Sequence, residues 1–63
     1  MVSSEEAKII ANEYLEKNGY KNCSFEEIQD KIVKWVILYS DGNKKYYIQV
    51  SRSDGAVLGF EIK

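Results

Sequence analysis

Histidine and proline are both absent from this chain of 63 residues, and cysteine occurs only at position 23. A single cysteine cannot form an internal disulfide, so no covalent cross-link supports the fold. With no histidine in the chain, and with Asn22 and Ser24 as its neighbours, the thiol of Cys23 has no group beside it that would activate it. We therefore interpret Cys23 as a small, half-buried residue at the start of a strand.

The chain also lacks an excess of charge of one sign, since nine basic and ten acidic residues leave a formal net charge of −1. Because binding to phosphates needs a concentrated positive face, we expect no nucleic-acid partner. No apolar run approaches the ~20 residues of a membrane span, so we expect no membrane insertion. The acidic start, residues 1–6, is unlike a signal peptide. We expect a cytoplasmic protein or a domain excised from an extracytoplasmic one.

The sequence does contain two alternating apolar runs in its last third, residues 46–62, separated by Ser53-Asp54-Gly55. If these three residues are the loop, Val50 faces Leu58, Ile48 faces Phe60 and Tyr46 faces Ile62. A shorter loop would place Val50 opposite Gly59 and would turn one strand over, so burial favours the three-residue loop. Gly55 is then placed to adopt the left-handed conformation that such a loop needs.

A second hairpin is predicted from residues 32–40, which are almost all β-branched, aromatic or aliphatic and are followed by Asp41-Gly42. That pair favours a two-residue type I′ turn. In this register Tyr39 faces Lys44, Ile37 faces Tyr46, Trp35 faces Ile48 and Val33 faces Val50. Both hairpins then agree on which face of the sheet is buried, and this agreement supports the fold.

The N-terminal pattern predicts a helix that begins with a capping box, Ser3 as N-cap and Glu6 reaching back, and stops at Lys17-Asn18-Gly19. Its apolar stripe is Ala7, Ile10, Ala11, Tyr14 and Leu15. Residues 20–31 fit either a second short helix or a strand. We predict a short edge strand, because no apolar period there lasts long enough for a stable helix.

Together these patterns predict a single domain, residues 1–63, of α+β class, with one N-terminal helix packed on one face of a three- to four-stranded antiparallel β-meander. A chain this short buries only about 60% of its unfolded surface, which leaves little room for a pocket. The predicted core consists of Ile10, Ala11, Tyr14, Leu15, Val33, Trp35, Ile37, Ile48, Val50, Leu58 and Phe60.

We predict no catalytic, cofactor-binding or metal-binding residues. The pairs Glu5-Glu6 and Glu26-Glu27 fit solvated acids better than general acid–base pairs, and neither acidic turn has the spacing of a calcium loop.

On the face away from the helix, the predicted sheet is less polar than a solvated face normally is. There Val36 would lie opposite Tyr47 and Leu38 opposite Lys45. Contiguous exposed apolar area marks interaction sites, although isolated exposed aliphatic residues under lysine stems are also common. The predicted protein interface is Val36, Leu38, Tyr47 and Val57.

The order of a capped helix, which opens with residues 4–11, and strands ending in Gly55-Ala56-Val57-Leu58 resembles the PepSY domain family. Ser51 and Asp54 stand where that family often has Asp and Thr. The resemblance implies a non-enzymatic module that binds or regulates proteins, with a peptidase-inhibiting, propeptide-like role among its proposed activities and no catalytic residues. The alternative is a self-associating structural protein, a homodimer formed through the open sheet face.

Overall fold

The computed structural model describes all 63 residues and contains one helix followed by four strands. The elements are α1 (Ser4–Lys17), β1 (Ser24–Asp30), β2 (Lys34–Ser40), β3 (Lys45–Ser51) and β4 (Val57–Ile62). The strands form one antiparallel sheet in the order β1-β2-β3-β4, which is a meander, and α1 packs on one of its faces. The predicted α+β class is confirmed, and the ambiguous segment before residue 31 is an edge strand.

The helix begins and ends at the residues that its sequence signals predict. The Glu6 N–H donates to Ser3 Oγ at 3.2 Å, and the Ser3 N–H donates to the Glu6 carboxylate at 3.3 Å, which completes the capping box. Gly19 adopts a φ of 88° just beyond the C-cap. With 14 residues, many of them charged, α1 has neither the length nor the apolar character to cross a membrane.

The hairpin of β2 and β3 has a four-residue loop, residues 41–44, so the predicted two-residue turn and its pairing are wrong. The observed pairs are Tyr39 with Tyr46, Ile37 with Ile48 and Trp35 with Val50, a shift of two residues. Asp41 explains the wider loop, because its carboxylate accepts the N–H groups of Asn43 at 2.9 Å and Lys44 at 2.8 Å. A shift of two residues leaves every side chain on its predicted face.

The hairpin of β3 and β4 agrees with the prediction except beside its loop. Ile48 pairs with Phe60 and Tyr46 with Ile62, as predicted, but a register shift places Val57 instead of Leu58 opposite Val50. The loop explains this bulge. The Ser51 N–H donates to the Ala56 carbonyl at 2.8 Å. Between this contact and the pair of Ile48 with Phe60, the β4 side therefore has three residues and the β3 side only two. Leu58 is 57% exposed, and its predicted place in the core is wrong.

Val33 also lies outside the core, contrary to the prediction, and is 71% exposed. It belongs to the connection between β1 and β2, so β2 begins at Lys34 and not at Ile32. The Val33 N–H donates to the Lys31 carbonyl at 2.7 Å across Ile32, whose φ is 69°. This is a γ-turn of the rare positive-φ kind. The chain therefore turns at a β-branched residue that carries no turn signal.

The core lies between α1 and the two central strands. Its buried residues are Ala7, Ala11, Leu15, Ile37, Tyr39, Tyr46, Ile48 and Val50. Four residues that were predicted to be buried, Ile10, Tyr14, Trp35 and Phe60, pack half-buried at its margin. The helix contacts β2 and β3 most extensively. Because α1 is the only element outside the sheet, the opposite face has no covering element.

Candidate protein-binding face

The sheet face away from α1, called here the outer face, is the surface that the sequence predicts to bind a protein. Ile37 and Ile48 are fully buried on the helix side, and the residues that alternate with them point the other way. By the observed register the outer face carries Glu27, Gln29, Lys34, Val36, Leu38, Lys45, Tyr47, Gln49, Gly59 and Glu61.

Leu38 and Tyr47 form the centre of the outer face and pair directly across β2 and β3. The predicted pairing of Leu38 with Lys45 is therefore wrong. Leu38 is only 7% exposed, although no helix or strand covers it. Its strand neighbours on the two sides are Glu27 and Tyr47, whose longer side chains shield it. The Lys63 ammonium lies 5.2 Å from the centroid of the Tyr47 ring.

Val36 lies on the same face but has polar neighbours. It pairs with Gln49 and Gln29, and not with Tyr47 as predicted. The Lys34 ammonium donates to Gln49 Oε1 at 2.8 Å, so an ordered polar contact borders Val36. Val36 is half-buried and lies two residues along β2 from Leu38. The apolar centre is therefore continuous from Val36 to Leu38 and Tyr47.

Val57 is separated from these three residues. The bulge places it opposite Val50, a residue of the buried side, and it is 37% exposed. Gln49 lies between Val57 and Val36, and its side chain packs over Gly59, where an added Cβ would be 3.5 Å from the Gln49 amide. The structure therefore brings together Val36, Leu38 and Tyr47 and leaves the fourth predicted interface residue apart.

Charges of both signs surround this apolar centre. The basic groups are those of Lys34, Lys45 and Lys63, and the acidic groups are those of Glu27 and Glu61. The Lys63 ammonium and the Glu61 carboxylate are 3.9 Å apart and both exposed, so this pair adds little to stability. An apolar centre inside a charged rim is the usual anatomy of a protein-binding surface.

The surroundings of Cys23 disfavour a reactive thiolate. Burial raises the pKa of the Cys23 thiol, and the nearby Asp41 carboxylate raises it further. A raised pKa keeps the thiol protonated, which is the less nucleophilic form. Burial likewise raises the pKa of Tyr39, and Cys23 adds to the effect. These shifts agree with the interpretation of Cys23 as a packing residue.

Asp41 and Tyr46 are a hydrogen-bonded pair of titratable groups beside the β2–β3 loop. The Tyr46 hydroxyl donates to Asp41 Oδ2 at 2.6 Å. This bond, with the N–H groups of Lys44 and Asn43, lowers the pKa of Asp41 to about 2. The same bond and burial raise the pKa of Tyr46 to about 12. Both values lie far from neutrality, which suits a hydrogen bond that holds the loop and does not suit proton transfer.

No group of three or more Cys, Asp or Glu side chains lies close enough together to hold a metal ion. Comparisons of the chain with protein-family models, with curated proteins and with solved structures find no match. The interpretation of the outer face therefore depends on the residues that form it.

Proposed function

We propose that the chain is a PepSY-like domain that acts as a non-enzymatic protein-binding module through the outer face. The observation that carries this proposal is an uncovered sheet face with Leu38 and Tyr47 paired at its centre, Val36 beside them and charges of both signs at the rim. Tyrosine surrounded by apolar and charged groups is enriched at such interfaces. The capped helix and the C-terminal hairpin, on which the PepSY resemblance rests, are both formed.

The charge of the outer face favours a protein partner over a nucleic acid. Phosphate backbones bind to concentrated positive charge, whereas here Glu27 and Glu61 stand among the lysines. The resemblance to PepSY domains makes a peptidase the first partner to test, with the domain acting as an inhibitor or a propeptide-like regulator.

The test replaces Tyr47 with Glu and Val36 with Lys in one double variant. Both side chains are half-buried and point away from the core, so we expect the double variant to stay folded, with a loss of about 1 kcal/mol at position 47, where a glutamate would lie opposite Glu61, and about 0.5 kcal/mol at position 36. Binding to a purified partner, first recovered by cross-linking to the wild-type protein, should be lost. Inhibition of a recovered peptidase should be lost in parallel.

Ile9→Lys is the matched control, because Ile9 is an exposed apolar residue on α1, on the other side of the sheet. This variant should bind the partner as the wild type does. Equal binding by the double variant and the wild type would contradict the proposal. Loss of folding in the double variant would also contradict it, because the face would then be structural and not a free surface.

A further inference from the structure

Strand β4 has a free edge whose backbone groups are ready to pair. It is hydrogen-bonded only to β3. Lys63 exchanges both backbone hydrogen bonds with Lys45, at 2.8 and 2.9 Å. Because hydrogen-bonded residues alternate along an antiparallel strand, Glu61 also turns its backbone groups toward β3. Phe60 and Ile62 therefore direct their N–H and C=O groups to the open edge.

The side chains along this edge are apolar and incompletely covered. Since α1 packs mainly on β2 and β3, it covers β4 only in part, at Phe60. Leu58 is 57% exposed and Ile62 is 41% exposed. Phe60 is the covered member of the strand, with the rings of Tyr14 and Tyr20 at centroid distances of 5.3 and 5.6 Å. One strand thus combines unpaired backbone groups with exposed apolar side chains.

The opposite edge of the sheet carries more charge than β4. Strand β1 carries Glu26, Glu27 and Asp30 and has an irregularity between Phe25 and Glu27. Charged residues and bulges are the usual means by which sheet edges avoid pairing with other chains. Strand β4 also has an irregularity near its start, at Leu58, but it carries only one acid, Glu61, and the Lys63 ammonium lies 3.9 Å from that carboxylate.

We propose that β4 pairs with β4 of a second copy of this chain, antiparallel and about a two-fold axis at Phe60, to join the two sheets edge to edge. In this register each Leu58 lies opposite Ile62 of the other copy. The outward backbone groups of the two Phe60 residues face each other, as an antiparallel ladder requires, and those of Ile62 face Leu58, which lies at the bulge of β4. This inference concerns the edge of the sheet and is independent of the outer face.

Charge selects this register over its neighbour. With the axis at Phe60, Glu61 lies opposite Gly59 of the second copy. With the axis moved one residue to Glu61, the two Glu61 carboxylates would lie directly opposite each other, which is destabilising. A pair of β1 strands would bring together Glu26 and Glu27 of each copy, whereas Asp30 is already paired with the Arg52 guanidinium. Charge therefore favours a pair of β4 strands over a pair of β1 strands.

Sedimentation equilibrium over micromolar to millimolar concentrations tests the proposal. The wild type should show a reversible equilibrium between monomer and dimer. Leu58→Lys should weaken the dimer by about tenfold or more, because it replaces an apolar contact at each end of the paired strands with a charge. Ile9→Lys is the control, because Ile9 is 59% exposed, close to the 57% of Leu58, but lies on α1. It should leave the dimer unchanged.

Amide hydrogen exchange locates the contact. Raising the protein concentration should slow exchange at Phe60 and Ile62, whose N–H groups face the edge, and should leave Lys63 unchanged because its N–H already bonds to Lys45. If Leu58→Lys melts below the wild type, Ile62→Lys replaces it in the same experiment.

Four results would overturn the proposal: a wild type that is monomeric throughout, a mixture of larger species, equal dissociation by Ile9→Lys, or exchange unchanged at both edge amides. Dissociation by Tyr47→Glu with Val36→Lys but not by Leu58→Lys would instead indicate a homodimer through the outer face. Binding of another protein at the outer face is measured separately, so each proposal fails on its own evidence.

Discussion

Two valines provide a direct test of the observed register between β2 and β3. The predicted two-residue turn paired Val33 with Val50 and placed both in the core. In the structure Val50 is fully buried opposite Trp35, whereas Val33 lies in the loop and is 71% exposed. The same substitution, Val to Ala, should therefore have very different effects at the two positions.

The expected magnitudes follow from burial. Val50→Ala removes two buried methyl groups worth about 0.8 kcal/mol each, and the cavity raises the total to about 2–3 kcal/mol. That is a large part of the ~3–5 kcal/mol expected for a domain of this size. Val33→Ala removes methyl groups that already contact water, so we expect a change within about 0.5 kcal/mol.

Urea unfolding followed by the fluorescence of Trp35, the only tryptophan, measures both variants. Trp35 is a sensitive probe because its indole N–H donates to the Val2 carbonyl at 3.0 Å and the Arg52 guanidinium lies 4.2 Å from its ring. The slope of free energy against urea must stay constant for the midpoints to report stability. Equal losses for Val33→Ala and Val50→Ala would refute the observed register and favour the two-residue turn.

Two further predictions concern the loops. Tyr46→Phe removes the hydrogen bond to Asp41, whose stabilisation of the fold should be constant near neutrality. In the wild type this stabilisation should be lost as pH falls from about 4 through the pKa of Asp41 at about 2. It should also be lost as pH rises from about 10 through the pKa of Tyr46 at about 12. Unfolding free energies of both proteins across pH test this, and a difference that does not vary with pH would contradict it. Gly55→Ala and Gly42→Ala should each cost about 1–2 kcal/mol in thermal melting because both glycines have positive φ. Gly55→Ala should cost more, because its Cβ would lie 3.1 Å from Ile10 Cδ1 whereas that of Gly42 meets open space, and equal costs would contradict this contact.

The helix shows how much local sequence can specify. Its capping box joins Ser3 and Glu6, three residues apart, and its end is marked by Gly19 at positive φ. Every group that defines these ends lies within one turn of its partner. Local hydrogen bonds and backbone preferences are properties of the sequence itself, and the predicted boundaries are therefore confirmed.

The candidate face shows where such reasoning stops. Alternation correctly placed Val36, Leu38 and Tyr47 on one face, but it paired them wrongly and did not indicate that Leu38 is buried. The wider loop held by Asp41 was the missing information. The Asx-type bonds of Asp41 to Asn43 and Lys44 are a recognisable turn pattern and could have indicated the longer loop.

The sequence by itself determined the helix, an antiparallel meander of three to four strands and the face to which each residue of the central strands points. Period-two alternation defines a face but does not distinguish registers that differ by two residues. Only the tertiary structure decided the register of β2 with β3 and the one-residue bulge of β4, because the first depends on the bond of Tyr46 to Asp41 and the second on the loop that ends where Ser51 meets Ala56. It also decided that Val33 and Leu58 lie outside the core, since Val33 belongs to the turn before β2 and Leu58 to the bulge of β4.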